Sequence, residues 1–406
     1  MDARSKPSMI PLARPVLGPE EERAVCGVLR SGWVSHGPKA MEFESQLADY
    51  LGCKYVRVVN SGSSAILLAL KAIGVGPGDS VVVPAFTCAA TALPVLCLGA
   101  EVVFADIDLS TFNISWADVE KVSKRNTKAI ILVHMFGRMA DAPGFTSACQ
   151  QRGIALVEDA CLALGARMNG KAAGTFGTAG CYSFHPRKMI TTGEGGAVAT
   201  DDETIAMGVQ CDRGYGAVQS AWSRFRAGDN ELQGFERTAY NLKLTDIQAA
   251  IGLVQMTRLQ DFIREHRRIA AAYREQIEGL AGIGLPTCVS EECDVNQAFV
   301  CRWAPLPPED LLNDGTALAK AVASLRDFKA SMIAGGVMVS DAAQFLPALP
   351  VFRVVGATDA QLRRQYPSAF LAGATSFALP MFPWMRAEDL AHVIARVRSL
   401  CPGSGS

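Results

Sequence analysis

Near residue 55 the chain takes up a rhythm that few folds can accommodate. Short runs that are apolar on both faces alternate with helix-forming stretches. YVRVV (55–59) leads into SSAILLALKAIG, and SVVVP (80–84) leads into a helix expected over 88–98. EVVFADI (101–107) precedes WADVEKV, and KAIILVHMFG (128–137) precedes a helix near 144–152. IALVEDA (154–160) and GCYSFH (180–185) come next. A strand with no polar face needs cover on both sides, and helices supply it. The alternation therefore predicts an α/β fold: a mostly parallel central sheet between helical layers. Crossovers in such sheets are right-handed, and ligands bind at the carboxyl ends of the strands.

After about residue 255 the texture changes. RLQDFIREHRRIAAAYREQIEGL reads as one long amphipathic helix. Beyond it lie strand-like NQAFVCRW (296–303), a helix around 317–335 and a closing helix in EDLAHVIARVRSL. A chain of 406 residues exceeds one ordinary core. The expected division is a large domain over 1–255, with its N-terminal segment, and a smaller C-terminal α+β domain over 256–406. No internal repeat or low-complexity segment is seen.

Lys+Arg is 39 and Asp+Glu 40, so the net charge is −1. That balance offers no field for nucleic acid and no polybasic patch for a membrane. No charged residue falls between Asp79 and Glu101, but Pro84, Pro94 and Gly99 break the stretch into strand, helix and strand rather than a membrane span. The opening MDARSKPSMIPLARP has no long apolar core and does not read as a signal peptide; the closing Gly-Ser-Gly-Ser reads as a loose tail. The 12 cysteines form no C-x-x-C pair, so buried free thiols in a reducing, cytoplasmic setting are expected, with neither a disulfide framework nor a metal site.

Three features carry chemistry. The loop Asn60-Ser61-Gly62-Ser63-Ser64 comes after a strand and opens a helix, where free N–H groups and hydroxyls suit a phosphate; a plain helix cap uses the same residues. Glu158-Asp159 ends an apolar strand, where a carboxylate needs a partner such as a pyridinium N–H unless it is a solvated loop acid. Ser183-Phe184-His185-Pro186-Arg187-Lys188 runs past a buried strand into Thr191-Thr192-Gly193-Glu194-Gly195-Gly196. A lysine there can act as an amine nucleophile when partly desolvated, or be an ordinary surface lysine. All three fall at strand carboxyl ends of one predicted sheet. Together they match what pyridoxal 5'-phosphate (PLP) needs: an anchor for its phosphate, Asp159 for the ring nitrogen and Lys188 for the aldehyde. Gly74-Val75-Gly76-Pro77-Gly78 comes after a helix rather than a strand, so a dinucleotide site is set aside.

These motifs resemble the DegT/DnrJ/StrS family of sugar aminotransferases, which have the fold-type-I PLP architecture. The resemblance covers most of the chain. It rests on Pro11-Leu12-Ala13-Arg14-Pro15, Ser31-Gly32-Trp33-Val34-Ser35-His36-Gly37-Pro38, Asn60-Ser61-Gly62-Ser63-Ser64-Ala65, Val133-His134-Met135-Phe136-Gly137 and Glu158-Asp159-Ala160. Its sharpest block is SFHPRKMITTGEGGAVATDD (183–202); NLKLTDIQAAIG (241–252) and Ala378-Leu379-Pro380-Met381 complete it. The resemblance implies that Lys188 holds the cofactor and shuttles the proton, and that Asp159 pairs with the ring nitrogen. It places Gly62, Ser63 and Ser183 at the phosphate. Asn241 reaches the neighbouring subunit's cofactor, which implies a homodimer. His185 stands beside Lys188 in a supporting or purely structural role. Departures from the family pattern are Cys88 where an aromatic residue usually stacks on the ring, with Phe86 as a possible substitute, and Leu162 where Gln usually bonds the ring oxygen. Arg138 and Lys243 replace the more usual Gln and Arg.

The implied activity moves an amino group from glutamate or glutamine to a nucleotide-linked keto-sugar or keto-cyclitol in natural-product or polysaccharide biosynthesis. Two alternatives stand beside it. One is a PLP-dependent sugar dehydrase, which the resemblance disfavours because those relatives carry histidine where Lys188 stands. The other is a non-catalytic regulatory or assembly relative.

Overall fold

The computed structural model describes residues 9–217, 219–228, 234–287, 289–353 and 356–401. Residues 1–8, Cys288 and the Gly-Ser-Gly-Ser tail lie outside the described residues. The main sheet has seven strands: β1 (Tyr55–Val59), β2 (Ser80–Pro84), β3 (Glu101–Ala105), β4 (Thr127–Val133), β5 (Ala155–Asp159), β6 (Ala179–Ser183) and β7 (Gly196–Thr200). Their order is β1-β7-β6-β5-β4-β2-β3. The pairs β3–β2, β2–β4, β4–β5 and β5–β6 are parallel; β7 alone runs antiparallel to both its neighbours. The α/β expectation therefore holds.

The alternating pattern does not reveal β7, because its glycine-rich opening reads as a turn. Tertiary packing makes it a strand. At Gly196 a Cβ would stand 2.4 Å from the Ser61 carbonyl oxygen, so only glycine lets the chain enter the slot between β1 and β6. The run over 128–137 also divides: the strand stops at Val133, and a 3₁₀ turn occupies Met135–Gly137.

Helices α1 (Pro19–Ser31), α2 (Gly62–Ile73), α3 (Ala89–Cys97) and α4 (Asp246–Thr257) bear most directly on the candidate residues. Helix α2 starts where Ser61 accepts the Ser64 N–H and stops at Gly74, whose φ of 84° is the left-handed cap that glycine adopts freely. Helix α4 stops at Thr257, and Arg258 separates it from α5 (Leu259–Ile277).

Among the described residues, two large apolar cores form, with a small third cluster of Leu311, Leu318, Ala321 and Leu371. Leu259, Phe262 and Ile263 of α5 pack into the core around the main sheet; Ile269, Ala270, Tyr273 and Ile277 pack into a second. The second core surrounds an antiparallel sheet of β8 (Gly282–Gly284), β9 (Phe299–Ala304), β10 (Ser340–Asp341) and β11 (Ser376–Leu379), in the order β8-β9-β11-β10. Residues of α6 (Gly315–Ala334) and α7 (Ala387–Leu400) cover it. The chain crosses between the cores more than once. Ile10 joins the second, whereas Leu362, Tyr366 and Ala369 join the first.

No described helix is long and apolar enough to cross a membrane. The described cysteines are free, but Cys26, Cys88 and Cys97 are exposed, which corrects the expectation that the thiols are buried. Cys26 lies in α1, Cys88 precedes α3 and Cys97 ends it, at positions the core does not claim.

Candidate active site

Strand register aligns the carboxyl ends on which the candidate residues sit. Val59 of β1 faces Gly196, Gly196 faces Ser183, and Cys181 faces Asp159, which in turn faces Val133. Residues 60–63, Ser183 and Asp159 are thus brought to one edge of the sheet. The loop carrying Lys188 leaves β6 at that edge and returns into β7.

At Gly62 an added Cβ would lie 2.8 Å from the Ser183 Cβ and 3.1 Å from the Cys161 sulfur, so the first turn of α2 rests directly on β6 and the loop after β5. Ser61, Ser64 and Asn60 are spent on one another: Ser64 Oγ donates to Asn60 Oδ1 at 2.7 Å, and Ser61 Oγ accepts the Ser64 N–H at 3.1 Å. That network leaves the N–H groups of Gly62 and Ser63 as first-turn donors, beside the exposed Ser63 hydroxyl and the half-buried Ser183 hydroxyl. The capping role of this loop is realised at Ser61, with the first-turn donors beyond it left over.

The adjacent carboxylates separate because successive side chains on a strand point to opposite faces. Glu158 is fully buried and accepts the N–H groups of Gly174 (2.9 Å), Phe176 (2.6 Å) and Gly177 (2.7 Å). Its fourth partner is His134. The His134 Nδ1 accepts the Ala140 N–H at 3.1 Å, so its Nε2 carries hydrogen and donates to Glu158 at 2.9 Å. Glu158 is therefore a structural acceptor. Glu158→Ala is expected to leave these donors buried and unpaired and to destabilise the fold by about 3 kcal/mol or more in chemical denaturation, while cofactor binding by the folded protein persists.

Asp159 is 5% exposed on the other face. Its Oδ2 accepts the Thr91 hydroxyl at 2.8 Å and its Oδ1 accepts the Cys161 N–H at 3.1 Å. The Thr87 hydroxyl backs Thr91 at 3.3 Å. Among the described residues no cationic side chain pairs with Asp159, yet each carboxylate oxygen keeps acceptor capacity. Burial and the Asp159 charge push the Cys161 thiol well up, against an opposing pull from Lys188. Cys161 is thus held as a neutral thiol, and the three side chains are neighbours.

Lys188 is half-buried, and its N–H donates to the His185 carbonyl at 2.8 Å. His185 accepts the Arg187 N–H at Nδ1 (3.2 Å), so its Nε2 hydrogen faces Glu194 at 4.0 Å, and burial lowers its pKa. It is a turn histidine satisfied by its own loop.

The remaining candidates are more scattered. Cys88 is exposed just before α3, and Leu162 is half-buried in the turn after β5. Phe86 has no exposed surface: its ring packs on Phe112 at 5.8 Å and Phe136 at 6.3 Å, so it does not substitute for an aromatic residue at 88. Arg138 is 6% exposed, and its Nε and Nη2 both donate to Asp294 Oδ2 at 3.0 and 2.9 Å. It ties the loop after β4 to the segment before β9.

Asn241 is exposed, and its Oδ1 accepts the Lys243 ammonium at 2.6 Å. Its segment runs beside the end of β1, where the Asn60 N–H donates to the Leu242 carbonyl at 2.9 Å. Arg213, buried beneath, ion-pairs with Glu44 and donates to the Val58 carbonyl at 2.6 Å and to His36 Nε2 at 3.2 Å. His36 therefore carries its hydrogen on Nδ1, which donates to the Leu244 carbonyl at 3.1 Å. Burial and Arg213 hold its pKa down to about 4. Below pH 6.5 the unfolded chain takes up a proton at this site that the folded chain refuses, so stability is complete above 6.5 and falls towards pH 4. Comparing denaturation at pH 7 and 5, wild type should lose about 2 kcal/mol more than His36→Asn, which has no proton to take up.

Thr91 and Cys161, which hold Asp159, carry no mark in the sequence reading. Cys161 is signalled only by its place two residues past Asp159, and Thr91 reaches the site only through a tertiary contact.

The sequence matches the DegT/DnrJ/EryC1/StrS aminotransferase family over residues 15–398. It is 30% identical to the spore coat polysaccharide biosynthesis protein SpsC of Bacillus subtilis, over 97% of this chain and 98% of that one. Among solved structures, the aminotransferase TlmJ from Streptoalloteichus hindustanus superposes with a TM-score of 0.85 at 26% identity, covering 97% of this chain and 98% of that one. A DegT/DnrJ/EryC1/StrS aminotransferase from Brucella abortus gives 0.77 at 25% identity, covering 94% and 95%.

Proposed function

Because the chain belongs to the DegT/DnrJ/EryC1/StrS aminotransferase family, we propose that the strand-end cluster around Lys188 and Asp159 is the active site of a PLP-dependent sugar aminotransferase. The observation that carries this reading is convergence. A helix start with donors left over, a buried carboxylate with no cationic partner among the described residues and a half-buried lysine meet at one sheet edge.

The residues fit the cofactor. The first turn of α2 at Gly62 and Ser63, with the Ser183 hydroxyl, is a cradle for a phosphate dianion that a side chain at 62 would fill. Asp159, steadied by Thr91 and the Cys161 N–H, suits a cationic ring N–H, whose charge offsets the cost of a buried carboxylate. When bound, PLP supplies an electron sink and carries the amino group between two substrates. The protein supplies position and proton transfer. Lys188 Nζ takes the proton from the amine-bearing carbon of the donor, and in the second half-reaction it delivers a proton to the former ketone carbon. The half-exposed turn at Leu162 and the exposed Cys88 lie close in sequence to Asp159 and to α3, and they leave the ring's oxygen and face to neighbours other than the family's usual Gln and aromatic residue.

Glutamate or glutamine is the proposed donor, and a nucleotide-linked keto-sugar or a keto-cyclitol the acceptor. The presence of Lys188 disfavours dehydrase chemistry, and its company with Asp159 disfavours a non-catalytic relative. We further propose a homodimer in which Asn241 reaches the partner's phosphate; exposed Tyr215, Phe235, Tyr240 and Asn241 offer a surface for it. Residues 1–255 would be the cofactor-binding domain and 256–406 the smaller one, in a cytoplasmic enzyme. The test is a half-reaction: PLP-loaded protein mixed with glutamate should convert its cofactor to the amine form and release 2-oxoglutarate, and adding keto-sugars should return it. A protein that binds PLP but performs neither half with glutamate or glutamine contradicts the reading.

A further inference from the structure

The loop carrying Lys188 is held by three glutamine amides from outside it. Gln297 Nε2 donates to the Arg187 carbonyl at 2.7 Å, and Gln248 Nε2 donates to the Glu194 carbonyl at 2.7 Å. Gln255 Oε1 accepts the Thr191 N–H at 3.3 Å. Gln248 and Gln255 are seven residues apart on α4, two turns, so they share the face of the helix that looks at the loop. Of the three, Gln255 is the one that reaches the buried stretch between Lys188 and Gly193, where Met189, Ile190, Thr191 and Thr192 are all under 5% exposed.

The orientation of the Gln255 amide is dictated by its partners. Its Nε2 donates to the Val16 carbonyl and to Glu21 Oε1, both at 2.8 Å, and neither of those can donate in return. Both amide hydrogens are thereby used, and Oε1 must face the Thr191 N–H. Glu21 is itself fixed: it is 4% exposed, its Oε2 accepts the Gly18 N–H at 2.9 Å at the start of α1, and it is ion-paired with Arg258. Within the loop Thr191 carries the constraint onward. Its hydroxyl donates to the Phe184 carbonyl at 3.0 Å and accepts the Gly193 N–H at 3.0 Å, closing the turn that contains Lys188.

We infer that Gln255 is a positioning residue for Lys188: anchored by Glu21 of the N-terminal helix α1, it fixes the loop whose amine moves the proton. The inference rests on the proposed aminotransferase function. A neutral amide suits the place, since it links a buried carboxylate to the loop without bringing charge to the lysine, and a proton-transferring amine must be held to a fraction of an ångström. Losing an anchor three residues away should cost turnover and leave the binding surfaces in place.

The test uses the full-length, PLP-loaded enzyme and two substitutions, Gln255→Met, which keeps the length, and Gln255→Glu, which sets a second carboxylate against Glu21. Four readouts are taken: the cofactor absorbance, borohydride fixation at Lys188, kcat and KM per loaded site, and hydrogen exchange of residues 188–193. Expected in whichever variant folds are fixation at Lys188, kcat lowered about tenfold or more, KM for the amino donor within about twofold of wild type, and faster exchange of the Thr191 amide. Unchanged kcat per loaded site in a variant that is merely less heat-stable would overturn the inference, as would a fall in kcat with wild-type exchange at Thr191. If the wild type itself shows no fixation at Lys188, the functional reading falls and takes this inference with it; a fixed wild type with a fully active Gln255→Met retires the inference alone.

Discussion

Lys188→Ala should lower amine transfer on the order of 10⁴-fold, with the fold intact. The side chain is half-buried in the loop after β6, where its loss leaves a small solvent-reachable gap and, among the described residues, no hydrogen-bond partner unpaired. The variant should therefore unfold at nearly the wild-type denaturant concentration and still take up PLP through the Gly62–Ser63 cradle and Asp159. What it lacks is the amine that accepts and returns the proton. Small primary amines added to the solution should restore part of the rate, because they supply the same base to the same gap. Steady-state rates with and without such amines, measured beside denaturation curves, check all parts of this expectation. A Lys188→Ala enzyme within a few fold of wild type would contradict the assignment.

Asp159→Asn should lower kcat by about 10²–10³-fold, the range seen when one preorganised electrostatic partner is removed from a reacting centre. The substitution keeps size and shape, so the first effect is that of the charge. A neutral amide cannot stabilise a protonated ring nitrogen as a carboxylate does. Its geometry is also compromised, since Asp159 accepts at both oxygens, from Thr91 and from the Cys161 N–H, and an amide NH₂ would point a donor at one of those donors. Removing the Thr91 hydroxyl should act in the same direction and less severely. Rates and cofactor absorbance of Asp159→Asn and Thr91→Val, read side by side, measure both effects. Rates for Asp159→Asn within a few fold of wild type would contradict the ring-nitrogen role.

Much of the fold and the position of the candidate site residues at strand ends were legible in the sequence, for identifiable reasons. The six parallel strands announce themselves because a strand buried on both faces must be apolar throughout, and β2, with SVVVP buried at every position, is the clearest case. Lys188, Asp159 and Gly62 stand out because each ends or succeeds such a strand. β7 is hidden because its identity depends on a close approach to the Ser61 carbonyl rather than on its own residues. The different fates of Glu158 and Asp159 come from the two-residue period of a strand, but which of the two becomes the structural acceptor is set by His134 after β4 and by the loop over 174–177 before β6. Thr91 stands 68 residues from Asp159, and Gln255 stands 64 from Thr191 and 234 from Glu21; no local pattern marks contacts that folding alone brings together. Phe86 shows the opposite error: proximity in sequence to Cys88 suggested a shared role, and packing against Phe112 and Phe136 gives it another.

The proposed chemistry turns on one atom, the Nζ of Lys188. Full-length protein loaded with PLP, reduced with borohydride, digested and mapped by mass spectrometry should carry the pyridoxyl group on the peptide containing Lys188 and on no other lysine. A label on another lysine, or none on a protein that holds its PLP, would contradict the account.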